Sequence, residues 1–136
     1  MHVDGSCHCG KVAFEAEVDP GRVGICHCTD CQQLTGTAFR VTCFAAEDDF
    51  KVLRGEPSTY IKTTADSGNP RAQVFCGDCG SHLWVTSVGE GPKVYGLRVG
   101  SLQQRAELKP SRQVWHQSAL DWVDTISSLP AVEKGG

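Results

Sequence analysis

Eight cysteines carry the clearest chemistry in this 136-residue chain. Seven fall into three clusters: Cys7 with Cys9, Cys26 with Cys28 and Cys31, and Cys76 with Cys79; Cys43 stands alone. Residues i and i+2 of a strand point to one face, so a Cys-x-Cys at a strand end aims both sulfurs at one point. Cys76-Gly77-Asp78-Cys79-Gly80 is a compact Cys-x2-Cys knuckle whose glycines permit a tight turn. A structural zinc takes four ligands in a tetrahedron with sulfur about 2.3 Å away, and two such pairs distant in sequence make one four-cysteine site. The central cluster differs, because Cys26-x-Cys28-x2-Cys31 offers three sulfurs within six residues. Three ligands from so short a segment can wrap one face of a zinc ion. The fourth position is then open to water or substrate, as at a catalytic zinc.

The same residues admit other readings. Eight cysteines could pair as disulfides, but in a reducing cytosol clustered cysteines more often bind metal or do redox chemistry. The Cys-x2-Cys could be a thioredoxin-like redox pair, yet no βαβ pattern surrounds it. A fourth protein ligand could close the central trio, with Cys43, His27 and His82 as candidates. Cys43 sits in an alternating stretch and reads as a buried small hydrophobe. His27 and His82 read as polar or capping side chains, and His2 and His116 carry no local motif.

Many short elements must position these residues. Fifteen glycines and six prolines punctuate the chain, a texture of turns that favours an all-β domain over a helix bundle. Residues 11–18 alternate, with Val12, Phe14, Ala16 and Val18 on one side and Lys11, Glu15 and Glu17 on the other, which predicts a half-buried strand. Further strands are expected at 22–26, 37–44, 50–54, 58–63, 71–76, 82–87 and 93–99. A helical turn or two is expected at 29–34, ended by Gly36. A second helix is expected at 119–129, capped by Ser118, with Ala119, Trp122, Val123 and Ile126 packing on the sheet and Pro130 as its stop. The tail from about 131 to 136 reads as loose, and the whole chain as one domain, 1–136. The tripeptide Cys7-His8-Cys9 recurs as Cys26-His27-Cys28, which suggests the same local ligand geometry built twice.

Charge narrows the partners. The formal net charge is -3, and no block of Lys or Arg forms a stripe for phosphates, so nucleic acid is disfavoured. Seven thiolates with two zinc ions would take the chain to about -6. Basic residues occur singly, as at Arg40, Lys51, Arg54, Lys62, Arg71 and Arg98. Most read as solvated strand edges; one or two could receive the carboxylates of a small anionic ligand. No run approaches the roughly 18 apolar residues of a membrane span. The N-terminus Met1-His2-Val3-Asp4-Gly5-Ser6 lacks a basic segment followed by an apolar one, so no secretory signal is expected and the chain reads as cytoplasmic.

Several motifs resemble the glutathione-dependent formaldehyde-activating enzyme family, the domain also found in centromere protein V. The likeness runs from Gly5-Ser6-Cys7-His8-Cys9-Gly10-Lys11-Val12 through Cys26-His27-Cys28-Thr29-Asp30-Cys31 and Thr35-Gly36. It continues in Phe75-Cys76-Gly77-Asp78-Cys79-Gly80, in Gly96-Leu97-Arg98-Val99-Gly100-Ser101-Leu102, and from Gln113-Val114-Trp115 to Leu120-Asp121-Trp122. The resemblance implies a β-tent, folded antiparallel sheets similar to those of a small zinc-binding chaperone of Rab GTPases. It also implies a division of ligands: Cys7, Cys9, Cys76 and Cys79 around a structural zinc, and Cys26, Cys28 and Cys31 around a second zinc where glutathione acts. The implied activity is that of a carbon–sulfur lyase joining a small thiol to a carbonyl carbon such as that of formaldehyde, or releasing it from a thiol conjugate. A non-enzymatic zinc-stabilised module with a protein partner is the alternative. Asp30, Thr35 and Arg98 lie in the matching motifs but read as helix-start polarity, a turn hydroxyl and a solvated strand charge.

Overall fold

The computed structural model describes residues 1–135. Ten strands lie among them: β1 (His2–Ser6), β2 (Ala13–Glu17), β3 (Val23–Cys26), β4 (Arg40–Ala46), β5 (Phe50–Arg54), β6 (Ser58–Lys62), β7 (Arg71–Phe75), β8 (His82–Ser87), β9 (Val94–Arg98) and β10 (Arg112–Val114). A single α-helix, α1 (Thr29–Thr35), follows β3. The strands form a three-stranded sheet, β1-β2-β5, and a seven-stranded sheet, β10-β3-β4-β9-β8-β7-β6. Pairing is antiparallel except between β10 and β3. The chain is therefore mainly β, as the turn-rich texture predicts.

The alternation read at 11–18 is what joins the two sheets. Val12, Phe14, Ala16 and Val18 are all buried in one core with Val3, Cys43, Leu83, Trp84 and Leu97. Phe14 lies at its centre, edge-on to Trp84 at 5.3 Å, while Phe50 stacks on Tyr95 at 4.1 Å. Gly5 pairs with Phe14 across β1 and β2, and a Cβ there would sit 2.5 Å from the Phe14 ring. Gly5→Ala is accordingly expected to cost roughly 1–3 kcal/mol through overpacking, read as a lower denaturation midpoint at unchanged slope.

The two faces of the large sheet differ. Cys43 and Leu97 pair across β4 and β9 and face the small sheet, with Trp84 pairing Leu97 beyond them. Side chains one residue along face the other way. There Cys26 pairs Arg40, Thr42 pairs Arg98, and Gln73 pairs Val85. This polar face carries the helix α1 side of the fold.

Two expectations fail at the C-terminal end, and a third is met only in part. Residues Asp121–Ser128 form a 3-10 helix, not an α-helix. Leu120, not Ser118, is its cap residue. Its hydroxyls explain the tighter winding: Thr125 Oγ1 donates to Trp122 O and Ser128 Oγ to Thr125 O, drawing carbonyls towards i+3 partners. The apolar stripe is only half covered, since Trp122 is 54% and Ile126 47% exposed while Ala119 and Val123 are half-buried. Residues 131–135 are irregular and exposed; Gly136, the end of the expected loose tail, lies outside the described residues.

Candidate metal centres

The first cluster bridges the two sheets. Cys7 and Cys9 follow β1 of the small sheet, and Cys76 and Cys79 occupy the turn between β7 and β8 of the large one. All four sulfurs lie within 4.8 Å of one another. Cys7 and Cys9 are 3.6 Å apart and Cys9 and Cys76 3.7 Å. A tetrahedron of sulfurs about 2.3 Å from a common ion has edges of about 3.8 Å, and a disulfide about 2.05 Å, so the spacing is that of co-ligands. Two tight turns aim them. Gly10 and Gly80 both take positive φ, 83° and 78°, and their amides close onto Cys7 O and Cys76 O. The Val12 amide donates to Cys7 Sγ at 3.2 Å. The Ser81 hydroxyl at 3.3 Å, followed by nearby amides, holds the Cys79 thiol down at about 5, so a thiolate forms there readily.

The second cluster sits on a strand–helix corner. Cys26 ends β3, Cys28 is the N-cap of α1, and Cys31 lies in its first turn. The three sulfurs lie within 4.8 Å of one another and all three residues are half-buried. The Cys31 amide donates to Cys28 Sγ at 3.3 Å, so the cap sulfur does a backbone task as well. Gly36, in the left-handed conformation, ends α1 where expected. Cys26 and Cys31 compete for ionisation: their contact pulls the Cys26 thiol down and pushes the Cys31 thiol up. A dication would relieve that conflict.

The repeated tripeptide is not one geometry built twice. Cys7-His8-Cys9 lies in a turn with His8 exposed, whereas Cys26-His27-Cys28 leads from a strand to a helix with His27 only 1% exposed. His27 Nε2 pairs with Gln113 Oε1 at 2.7 Å on β10, and Gln32 Nε2 donates to His27 O and Ser118 O. The C-terminal segment thereby props the trio. Among the described residues no further His, Cys, Asp or Glu joins the trio. Cys43 instead lies in the core, where burial pushes its thiol up to about 11.

The family description "Glutathione-dependent formaldehyde-activating enzyme" matches residues 2–118, a span holding both clusters. The chain belongs to this family. A Halomonas elongata protein, provisionally named as a glutathione-dependent formaldehyde-activating enzyme, is 32% identical over 88 residues, 62% of this chain. The aligned part spans 56% of that protein's length. A Rhodobacter sphaeroides protein of known crystal structure shares the fold, with a TM-score of 0.62 and 23% identity over 82% of this chain and 99% of that one.

In this family member the polar face beside the trio holds a feature that the sequence reading missed. Arg98, expected as a solvated strand charge, is 9% exposed. Arg40, one of the lone cations of which most were expected solvated and one or two free to receive a ligand's carboxylates, is 5% exposed. Both donate to Gln73 Oε1, Arg40 Nη1 at 3.2 Å and Arg98 Nη2 at 2.8 Å, and Arg98 Nη1 also reaches Thr42 Oγ1 at 2.9 Å. Burial, then the neighbouring Arg40 charge, pushes the Arg98 guanidinium down to about 9. Asp30 is likewise more than helix-start polarity: its carboxylate pairs with Lys62 at 3.0 Å and accepts from Thr64 at 2.7 Å, tying α1 to the far edge of the sheet. Thr35 Oγ1 bonds back to Cys31 O within α1, a local role as expected. Cys28, Cys31, Arg71, Gln73 and Arg98 all line one cavity of about 550 Å³. Among the described residues no helix is long and apolar enough to cross a membrane.

Proposed function

We propose that this protein is a zinc-dependent carbon–sulfur lyase or thiol-adduct enzyme. Cys7, Cys9, Cys76 and Cys79 hold a structural zinc; Cys26, Cys28 and Cys31 hold a second, with one position left for glutathione or a similar small thiol. The observation that carries the reading is the trio itself: three sulfurs within 4.8 Å, without a fourth such donor among the described residues. Its donor chemistry suits zinc, since thiolates select soft or borderline metals. Zinc, when bound, supplies the charge that keeps a coordinating thiol deprotonated.

The chain's own residues do the positioning. The strand end and helix cap fix the three sulfurs, and Cys28 and Cys31 present them to the 550 Å³ cavity, which has room for a small thiol and a carbonyl partner. In the forward direction the thiol sulfur bonds to the carbonyl carbon, the C=O π pair moves to oxygen, and the thiol proton ends on that oxygen. The product is a hydroxymethyl thioether when the carbonyl is formaldehyde. The reading includes one domain over residues 1–136, a cytosolic setting and no nucleic-acid partner, the last supported by the negative net charge.

The test is exchange NMR of formaldehyde, glutathione and their adduct, with and without zinc-loaded protein. The expected result is exchange well above the spontaneous rate. Absence of acceleration with formaldehyde and with larger aldehydes would contradict the enzyme reading. One observation favours a second reading, a zinc-stabilised module that docks a protein: Trp122, Ile126 and Leu129 present an exposed apolar surface.

A further inference from the structure

Arg40 and Arg98 are a pair of like charges sharing one acceptor inside the protein. A guanidinium carries five N–H donors and no acceptor, so each buried one asks for several oxygens. Arg40 Nε, Arg40 Nη2 and Arg98 Nε are buried without any partner. Neither residue forms an ion pair among the described residues, where the carboxylate facing this side of α1, Asp30, is taken by Lys62. Buried donors without acceptors are rare in folded proteins, and each one asks for an explanation. Three thiolates on a dication carry one net negative charge, which offsets one guanidinium and leaves the other.

The side chains that carry these donors border open space, although the three unpartnered nitrogens are themselves buried. Arg40, Gln73, His82 and Arg98 line a cavity of about 140 Å³, and Gln73 and Arg98 also line the 550 Å³ cavity that holds Cys28 and Cys31. The smaller space suits a two-oxygen acid group, not a whole peptide. Arg71 stands on the wall of the larger one. Burial, then the charges of Arg40 and Arg98, pushes the His82 imidazole down, so it adds a neutral polar group to the wall of the smaller one.

We propose that Arg40 and Arg98, spaced by Gln73, form a carboxylate-binding site that anchors the acid group of the small molecule reacting at the Cys26–Cys28–Cys31 trio. The planar fork of a guanidinium matches the two oxygens of a carboxylate. The assignment rests on the trio as the thiol site for its role in reaction, but not for the binding of the anion. The acid group comes either from the thiol or from the carbonyl partner, and matched probes separate the two sources.

Calorimetric titration of the zinc-loaded protein compares 3-mercaptopropionate with 2-mercaptoethanol, and glyoxylate with glycolaldehyde. In at least one pair the acid is expected to bind at least about 10-fold more tightly, the factor of one charge-assisted contact. That advantage disappears in Arg98→Gln and Arg40→Gln. A preference in the first pair assigns the carboxylate to the thiol, and in the second to the carbonyl partner. Equal binding of acid and neutral probe in both pairs overturns the site. So does a preference that survives both variants while zinc retention falls, because the guanidiniums then serve the thiolates alone. Should the glutamine variants fail to fold, Arg98→Lys keeps the charge without the fork and is expected to lose most of the preference. Thermal unfolding of the wild-type chain needs no variant: acetate is expected to raise the midpoint and acetamide to leave it unchanged. Stabilisation by inorganic phosphate but not by acetate contradicts the proposal. If no thiol binds but acetate still stabilises, the carboxylate site stands and the trio's role falls.

Discussion

Cys76→Ala is expected to release one zinc ion per chain and to lower the melting temperature by more than about 10 °C. Cys76 is 1% exposed and follows β7 of the large sheet, while its co-clustered Cys7, 2% exposed, follows β1 of the small one. A metal held by both clamps the sheets over a modest core. Metal free energy is folding free energy wherever the site does not exist in the unfolded chain. The control is Cys43→Ala. Cys43 is as deeply buried, 0% exposed, but belongs to neither cluster. Its loss leaves a small cavity worth about 1–2 kcal/mol and both zinc ions in place. Differential scanning calorimetry with zinc analysis by plasma emission checks both variants. Equal melting temperatures and two zinc ions in each would contradict a structural role for the first cluster.

Cys28→Ser is expected to lower thiol–carbonyl exchange by more than about 100-fold while the fold survives. Cys28 has two tasks, as a sulfur of the trio and as the N-cap of α1. Serine keeps the capping acceptor, which is worth about 1 kcal/mol, and removes the thiolate. The substitution thus separates the chemistry from the helix. The midpoint of unfolding is expected to fall less than in Cys76→Ala, because the half-buried trio lies away from the sheet-to-sheet core and clamps one strand–helix corner rather than two sheets. Exchange rates and circular dichroism on one preparation read both effects. Full activity with the second zinc lost would remove the trio from the mechanism.

The parts of the molecule legible in sequence were those with local periodicity. Val12, Phe14, Ala16 and Val18 announce a strand, and the bounds of β5 and β8 match the expected 50–54 and 82–87. β1 was missed because His2–Ser6 holds one apolar side chain, Val3, and a glycine whose missing Cβ makes room for Phe14. β10 was missed because its three residues become a strand only by pairing in parallel with β3. The cysteine clusters were legible by spacing, although their division into four and three came from the family resemblance. Arg40 and Arg98 were not. A lone cation in an alternating segment looks solvated, and their burial arises from registers that set Arg40 beside Cys26 and Arg98 beside Thr42. Such cross-strand pairing is non-local and leaves no trace in a window of sequence.

Native mass spectrometry of the purified chain, with and without glutathione, tests the central claim most directly. The predicted result is two zinc ions per chain and a glutathione adduct that vanishes in Cys28→Ser. A chain without zinc, lighter by the hydrogens lost to disulfides, would contradict it.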